Sequence, residues 1–260
     1  MSDNEERFGS LARLYGAKDL EKIQQANICV VGIGGVGSWV VEALARSGVQ
    51  RLTLIDGDDI SRSNMNRQCH TLESTIGEMK TEVMKQRVLD INPQCQVQTV
   101  ARYLDDDNIF ELLLPDTATP FDCVIDAIDR IKYKALMIYF CKRNKLPVVT
   151  TGGAGGLTDP AQVGIKDLTR TWNDPLAASV RLSLRQQHNF TRNPKRSFGV
   201  PCVFSTQQQR YPDKDGCVGY QKPGVAGLSL DCSFGYGSSV AVTATFGFVA
   251  SAKAIEIVTK

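Results

Sequence analysis

The sequence predicts an α/β protein with a doubly wound, mostly parallel Rossmann-like sheet, followed by a basic loop and an apolar C-terminal helix. Two observations predict this fold class. Short apolar runs alternate with helix-like segments, as in sheets built from βαβ units. The first apolar run also leads directly into a glycine-rich turn. We therefore expect a single domain over 1–260, with a nucleotide-binding core at 27–156 and an extension for substrate and subunit contacts at 157–260.

The glycine-rich turn has the spacing Gly32-x-Gly34-Gly35-x-Gly37. Glycines at this spacing permit a tight turn, let backbone N–H groups approach a phosphate and let the following helix pack closely on the strand. The positive end of that helix attracts an anion. The next apolar run ends on Asp56, which is placed to bind a ribose hydroxyl. The motif predicts nucleotide binding, but by itself it fits NAD as well as ATP.

The other elements follow from the spacing of apolar residues. Apolar residues at every third or fourth position predict helices, and apolar or alternating runs predict strands. Between 175 and 212 we predict a mobile loop at 186–200 and assign no other element. Helices are predicted at 17–25, 38–47, 77–93, 105–114, 132–144 and 234–258, and strands at 28–31, 52–55, 95–103, 121–129, 146–156 and 163–168.

Composition and charge narrow the class of protein. The net charge is +2, so any nucleic-acid contact must come from a local basic segment and not from a global field. The eight cysteines include no CxxC pair, and the N-terminus is polar, which together favour free thiols in the cytoplasm and no zinc site. The apolar segment 234–258 is long enough to span a membrane, but a buried or interface helix is the favoured interpretation.

Charged and amide residues that follow the glycine motif favour ATP over NAD. Cations on different elements can converge on a triphosphate, and a carboxylate can hold Mg²⁺. A hydride-transfer enzyme would not need two cations and an acid near its cofactor. The competing interpretation is that the cations are ordinary surface charges. The candidates are Asp58, Asn64, Arg67, Gln68, Lys80, Asp126 and Asp129.

The motifs GIGGVGS, LTLIDGDDISRSNMNRQ, GEMK, INP and VIDAIDR occur in this order and resemble the E1-like adenylating superfamily. Its members activate carboxylates with ATP. The resemblance implies ATP and Mg²⁺ as cofactors, and it implies a role for each matching residue. By this resemblance, Asp56 would contact the ribose and Asp129 would bind Mg²⁺. The catalytic residues would be Arg67, Lys80 and Asp129. The residues expected to contact the phosphates are Gly34, Gly35, Asn64, Arg67 and Lys80.

The second half of the chain extends the resemblance to nearly its whole length. VVTTGGAGG, DPLA, CVFSTQ, DCSFGYGS and VTATFGFVA are similar to the tRNA threonylcarbamoyladenosine dehydratase family. This likeness implies ATP-dependent dehydration of the threonylcarbamoyl group on adenosine 37 of tRNA, in which the threonine carboxylate is activated and a five-membered ring closes. It also implies a homodimer and a cysteine-desulfurase sulfur-acceptor protein as a further partner.

Residues 175–212 contain no acid and fit contact with RNA. Basic side chains bind phosphates, and His188, Phe190 or Phe198 would stack on an unpaired base. The competing interpretation is a solvated basic loop with buried aromatic side chains. The basic candidates are Arg181, Arg185, Arg192, Lys195, Arg196 and Arg210.

Two other functions stay open at this point. One is adenylation of a carrier protein's C-terminus for sulfur transfer, against which the missing CxxC pairs count. The other is a non-enzymatic NAD-binding module. Arg67, Lys80 and Asp129 argue against it, because an NAD site does not need them. Cys202 and Cys232 are weighed as thiol nucleophiles, with structural thiols favoured. His70 is interpreted as a hydrogen-bonding loop residue and not as a general base.

Overall fold

The computed structural model describes residues 3–114, 119–213, 215–221 and 237–260. Seven strands form one sheet in the order β3-β2-β1-β4-β5-β7-β6, and two short strands form a separate ribbon. The sheet strands are β1 (Asn27–Val31), β2 (Arg51–Ile55), β3 (Gln96–Val100), β4 (Cys123–Asp126), β5 (Val148–Thr151), β6 (Val163–Asp167) and β7 (Pro201–Ser205), and the ribbon consists of β8 (Tyr211–Pro212) and β9 (Val218–Gly219).

Helices cover both faces of the sheet, and each face has its own apolar core. The central strands are buried on both sides, which explains their continuous apolar sequences. The helices are α1 (Asp3–Tyr15), α2 (Ala17–Gln25), α3 (Gly37–Arg46), α4 (Lys80–Ile91), α5 (Ile109–Leu113), α6 (Ile131–Arg143), α7 (Pro175–Gln187) and α8 (Val240–Thr259).

The predicted fold class is confirmed. All pairings in the sheet are parallel except that of β6 with β7, which is antiparallel. The chain runs outward from β1 to β2 and β3, and then returns to the other side of β1 to form β4. This reversal opens a crevice at the carboxyl ends of β1 and β4, which is where open α/β sheets bind ligands.

Sequence analysis assigns no helix or strand between 175 and 212, but the structure has α7 and β7 there. The loop predicted at 186–200 is observed at 188–200, between these two elements. The side chain of Asp174 caps α7 by accepting a hydrogen bond from the Ala177 N–H, and Pro175 occupies the first turn. An acid followed by proline is a start signal for a helix. β7 inserts between β5 and β6, so the second half of the chain completes the sheet begun by the first half.

Two predicted helices in the first half of the chain begin later than expected. The helix predicted at 105–114 begins at Ile109, because Asp105 Oδ1 first accepts hydrogen bonds from the N–H groups of Asp107 and Asn108 and holds a turn. The helix predicted at 77–93 begins at Lys80, because Met79 pairs with Asp59 in an isolated β-bridge.

The apolar helix α8 is long and apolar enough to cross a membrane by length and composition. It nevertheless packs against α3 and across the sheet. A methyl group added at Gly247 would lie 2.7 Å from Trp39 Cβ and 2.8 Å from the Val36 carbonyl oxygen, so the two helices touch closely. These contacts favour the buried-helix interpretation. Residues 234–236 of the predicted segment lie outside the described residues.

Candidate nucleotide-binding site

The glycine motif forms a tight loop between β1 and α3. Gly32 has a φ of 87°, a conformation that only glycine adopts at low cost. A methyl group added at Gly37 would lie 1.7 Å from the Gly32 carbonyl oxygen. Glycine is therefore required at Gly37 to bring the start of α3 against the end of β1. The resulting loop points backbone N–H groups and the positive end of α3 into the crevice.

Asp56 follows β2 and braces the glycine loop. Its Oδ2 accepts a hydrogen bond from the Ile33 N–H at 2.5 Å, and its Oδ1 accepts one from the Asp58 N–H at 2.8 Å. Burial raises the pKa of this carboxyl above its ordinary value, against the opposing effect of Lys80 and these hydrogen bonds. A carboxylate oxygen can accept a second hydrogen bond, so this placement leaves room for a ribose hydroxyl.

Asp58 and Lys80 form an ion pair at the edge of the crevice. Lys80 Nζ lies 2.7 Å from Asp58 Oδ2, and the lysine is buried while the aspartate is half exposed. Tyr103 also donates its hydroxyl hydrogen to Asp58. Burial opposes ionisation of Asp58, but the hydrogen bonds from Lys80 and Tyr103 outweigh it and lower the pKa of the carboxyl. The structure thus brings these two predicted residues together.

Tyr103 is a residue of this crevice that sequence analysis did not single out. The hydrogen bond to Asp58 raises the pKa of its phenol to about 12, so the side chain stays neutral. The Arg130 guanidinium lies 4.9 Å from the centre of its ring. The sequence signal for Tyr103 is its position just after β3, because residues that follow parallel strands lie at the same end of the sheet.

Asn64, Arg67 and Gln68 lie on one loop that faces the glycines. Asn64 Oδ1 accepts the Ser61 N–H at 3.2 Å and closes a 3₁₀ turn. The Arg67 side chain would be 3.3 Å from a methyl group at Gly35, so it covers that glycine. Among the residues that the structure describes, no hydrogen-bond partner reaches the buried Gln68 Oε1. An unsatisfied buried acceptor beside a phosphate loop fits a site built for a ligand.

Of the two acids considered at β4, Asp129 is exposed and Asp126 is not. Asp126 is fully buried, pairs with Lys134 at 2.9 Å and accepts a hydrogen bond from Thr150 Oγ1 at 2.6 Å. Its contacts are those of a structural ion pair. In the described part of the chain, no group of three or more His, Cys, Asp or Glu could hold a metal ion. A Mg²⁺ ion at Asp129 would therefore need substrate phosphates and water as its other ligands, which is its usual mode of binding.

His70 supports the glycine loop from below. Its Nε2–H donates to the Ile33 carbonyl at 2.8 Å, and burial lowers its pKa to about 4. Ile33 is thus held at its N–H by Asp56 and at its C=O by His70. The thiol of Cys202 is fully buried in β7, and burial raises its pKa, which favours the structural interpretation. Cys232 lies outside the described residues.

The basic residues predicted to contact RNA do not form one cluster in the structure. Helix α7 begins at the end of β5, where Asp174 binds the Gly153 N–H, and it runs back toward the start of β7. The loop after α7 therefore lies at the opposite edge of the sheet from the glycines. That loop carries the exposed Arg192, Lys195 and Arg196, whereas Arg181 and Arg185 are half-buried on α7 and Arg210 is half-buried after β7.

The expectation that Phe198 could stack on a base is wrong, because Phe198 is buried. Its ring packs edge-on against Phe190 at 4.9 Å, and the Arg185 guanidinium lies 5.6 Å from its centre. His188 stacks on Tyr139 with ring centres 4.6 Å apart. These contacts anchor the end of α7 to α6.

The fold and the crevice define a nucleotide-binding protein of the doubly wound α/β class, with a phosphate loop, a ribose-side acid and nearby cations. Comparison with known proteins narrows this class. The model of the ThiF family matches residues 9–260. The tRNA threonylcarbamoyladenosine dehydratase of Haemophilus influenzae is 49% identical over 253 residues, which cover 97% of this chain and 93% of the relative.

Solved structures give the same result. The crystal structure of Escherichia coli tRNA N6-threonylcarbamoyladenosine dehydratase in complex with ATP is 44% identical, with a TM-score of 0.85, and the match covers 99% of this chain and 96% of that one. Its complex with AMP matches with the same identity, TM-score and coverage. The chain therefore belongs to the ThiF family of the E1-like superfamily, within the group that contains these dehydratases.

Proposed function

We propose that this protein catalyses the ATP-dependent dehydration of threonylcarbamoyladenosine at position 37 of tRNA. The observation that carries the proposal is that the likeness to the dehydratases spans nearly the whole of both chains, including α7, β7 and α8. The crevice adds chemical support, because its glycine loop and cations suit a nucleotide triphosphate and a relative of the same fold holds ATP.

The residues of the crevice supply binding and charge stabilisation. The N–H groups of the glycine loop and the start of α3 would hold phosphates, and Asp56 would hold the ribose. Arg67 and Lys80 would stabilise the negative charge that develops when the threonine carboxylate attacks phosphorus. Lys80 carries three N–H donors, so it can contact a phosphate while it still binds Asp58.

No protein base is required for the first step, because a carboxylate is already ionised at neutral pH. One carboxylate oxygen remains with the phosphorus when the ring closes, and the attacking group of the carbamoyl unit loses a proton. Relative to the neutral nucleoside, one oxygen and two hydrogens are removed: the departing phosphate ester keeps the oxygen, one hydrogen is lost when the carboxyl group ionises, and the other is the proton of the attacking group. A site that holds the two reacting ends of the threonylcarbamoyl group close together accelerates such a ring closure.

We also propose that Asp129 binds Mg²⁺ together with the phosphates of ATP. Its carboxylate is exposed at the end of β4 beside the glycine loop, and one protein carboxylate with phosphates and water is a common set of Mg²⁺ ligands. The ion, when bound, neutralises phosphate charge.

The proposal also covers the enzyme class, the cellular compartment and the oligomeric state. We propose a ligase-type enzyme that acts in the cytoplasm as a homodimer. The apolar side chains of Val240 and Phe248 on α8 are nearly half exposed, which suits a subunit contact. The sulfur-acceptor partner stays a prediction from the resemblance, and the absence of zinc stays a prediction from the missing CxxC pairs.

Measurement of ATP consumption tests the proposed function. The full chain is incubated with Mg-ATP and one of three substrates: tRNA that carries threonylcarbamoyladenosine, the same tRNA without the modification, or a carrier protein ending in Gly-Gly. We expect consumption only with the modified tRNA. Consumption that requires the carrier and ignores the RNA would overturn the proposal in favour of carrier adenylation.

A variant pair tests the assigned acid in the same assay. Asp129→Ala should lower turnover by at least about a hundredfold, since loss of one charge-stabilising group costs on the order of 10²–10³. Asp107→Ala is the matched control, because Asp107 is an exposed acid in the turn before α5, and this variant should retain full turnover. Normal turnover by Asp129→Ala would show that the Mg²⁺ assignment is wrong.

A further inference from the structure

A second cleft, of about 280 Å³, lies along the first two turns of α7. Its walls come from α7 and from the segment that follows β7. We call it the Asp174 cleft and define it by Asp174, Arg181, Gln209, Tyr211 and Tyr220. None of these residues belongs to the glycine loop or to the set assigned to ATP.

The Asp174 cleft borders the nucleotide crevice. The Asp174 carboxylate accepts the N–H of Gly153, just after β5, at 3.1 Å. β5 pairs with β4, whose end leads to Asp129. β4 lies between β1 and β5 in the sheet, so the end of β5 is two strand spacings, about 10 Å, from the glycine loop. A ligand in the cleft can therefore extend a short arm to the phosphates.

Gln209 gives the cleft a buried acceptor that points to a ligand. The residue is only 5% exposed, and its Nε2 donates to the Gly155 carbonyl at 3.0 Å, which fixes the amide. In the parts of the chain that the structure describes, no donor reaches the buried Oε1. Buried acceptors are nearly always paired in native proteins, so this oxygen fits an N–H or O–H of a bound molecule.

Arg181 and Tyr220 add a cation and an aromatic face. The hydrogen bonds of Arg181, to the Leu168 carbonyl and to Thr171 Oγ1, both come from Nη1 and both go to uncharged groups. A guanidinium has five N–H donors, which makes it well suited to a phosphate. Tyr220 is an exposed aromatic residue, with 58% of its surface accessible. An acceptor, a cation and a stacking surface together match a nucleotide taken out of an RNA loop.

We propose that the Asp174 cleft binds the modified nucleotide of the RNA substrate; this inference rests on the proposed function. Gln209 Oε1 accepts a hydrogen bond from an N–H of the carbamoyl group, Tyr220 stacks on the base, and Arg181 binds the phosphate of that nucleotide. The chain from the base nitrogen to the threonine carboxyl carbon spans about 5 Å. A base seated in the cleft thus directs its carboxylate toward the end of β4.

Affinity for two RNAs tests this inference. An anticodon stem-loop that carries threonylcarbamoyladenosine is compared with the same RNA carrying plain adenosine, both in the absence of ATP. The variants of the full chain are Gln209→Met, Arg181→Met and Tyr220→Ala. Arg143→Met, at the exposed last turn of α6, and Tyr15→Ala, at the exposed end of α1, are the matched controls, and neither residue lines the cleft. The Kd for ATP is measured for every variant as a test of folding.

We expect the unaltered chain and both controls to bind the modified RNA at least about tenfold more tightly than the plain RNA. Gln209→Met should remove this preference, because no acceptor then reads the carbamoyl N–H. Arg181→Met and Tyr220→Ala should weaken binding of both RNAs about tenfold, since they remove a phosphate contact and a stacking surface. The Kd for ATP should stay within about twofold in every case.

Variants that bind ATP and keep both the affinity and the preference would overturn the inference. Tyr220→Ala decides the matter if the more buried variants lose ATP binding, because an exposed ring can be removed without disturbing the core. Failure of the proposed function gives a different result, in which the unaltered chain consumes no ATP with modified tRNA. If that chain is active and all three variants behave like it, only the inference about the cleft fails.

Discussion

The glycine loop and the Asp174 cleft lie side by side at the same edge of the sheet, yet they are built in different ways. The loop is made by one short stretch of chain, and its shape depends on backbone groups of Gly32 and Gly37. The cleft is made by side chains from two distant segments, held by Asp174 and Gln209. A backbone site is fixed by local sequence, whereas a side-chain site depends on which elements the topology brings together.

The two sites also differ in how they use a glycine. A methyl group at Gly37 or at Gly152 would lie 1.7 Å from an oxygen atom in either case. At Gly37 that atom is the Gly32 carbonyl oxygen, and at Gly152 it is a carboxylate oxygen of Asp174. A side chain can turn away, but the backbone of a tight loop has nowhere to move. Alanine at the two positions therefore separates the two sites experimentally.

Gly37→Ala should have the largest effect. The loop must open to admit the methyl group, so we expect the affinity for ATP to fall at least about a hundredfold, with turnover lost accordingly. Isothermal titration with ATP measures this. Gly164→Ala, where an added methyl group would meet nothing within 4 Å, is the matched control and should bind ATP normally. Unchanged ATP affinity in Gly37→Ala would mean that the loop is not the phosphate site.

Gly152→Ala should have a smaller and different effect. The methyl group would displace the Asp174 carboxylate from the start of α7 and distort the cleft, which should weaken binding of the modified RNA about tenfold. The affinity for ATP should be unchanged, because β1 and its loop are untouched. A parallel loss of ATP affinity would contradict the separation of the two sites.

His70 affects a different quantity, the stability of the loop region at low pH, and should leave both binding sites intact at neutral pH. Its pKa is about 4 in the folded protein and near 6.5 when unfolded, so between these values the unfolded chain binds more protons. Stability is therefore fully present above pH 6.5 and falls as the pH drops toward 4. One pKa unit is worth about 1.4 kcal/mol, so the loss amounts to about 3 kcal/mol at most.

Urea unfolding between pH 4 and pH 7 measures this contribution. His70→Gln removes the titrating group, while its amide can still donate to the Ile33 carbonyl, so the variant should lose less stability over this range. An identical pH dependence in the two proteins would contradict the assignment of a neutral, buried imidazole.

The same contrast explains how much of the molecule could be predicted from sequence. Apolar runs and the glycine spacing predict β1, α3 and β2 nearly to the residue, because the signals and the structure they specify are adjacent in the chain. The pairing of Asp58 with Lys80 and the place of Tyr103 depend on how strands order in the sheet. Sequence analysis placed Lys80 near the crevice but did not single out Tyr103, for which the signal was its position just after β3.

Two elements, α7 and β7, were missed in a stretch that was interpreted from its charge composition and not from local helix and strand signals. The absence of acids in 175–212 suggested RNA contact, and the helix start at Asp174-Pro175 was not used to predict α7. The insertion of β7 between β5 and β6 is a long-range event that no local pattern specifies. The Asp174 cleft results from that insertion, so its residues could not be grouped before the fold was known.

Mass spectrometry of nucleosides tests the central claim most directly. tRNA that carries threonylcarbamoyladenosine is incubated with the protein and Mg-ATP, digested to nucleosides and compared with reactions lacking ATP. The proposed function predicts that the modified nucleoside loses the mass of one water only when both protein and ATP are present. An unchanged mass, with a protein that still binds ATP, would contradict it.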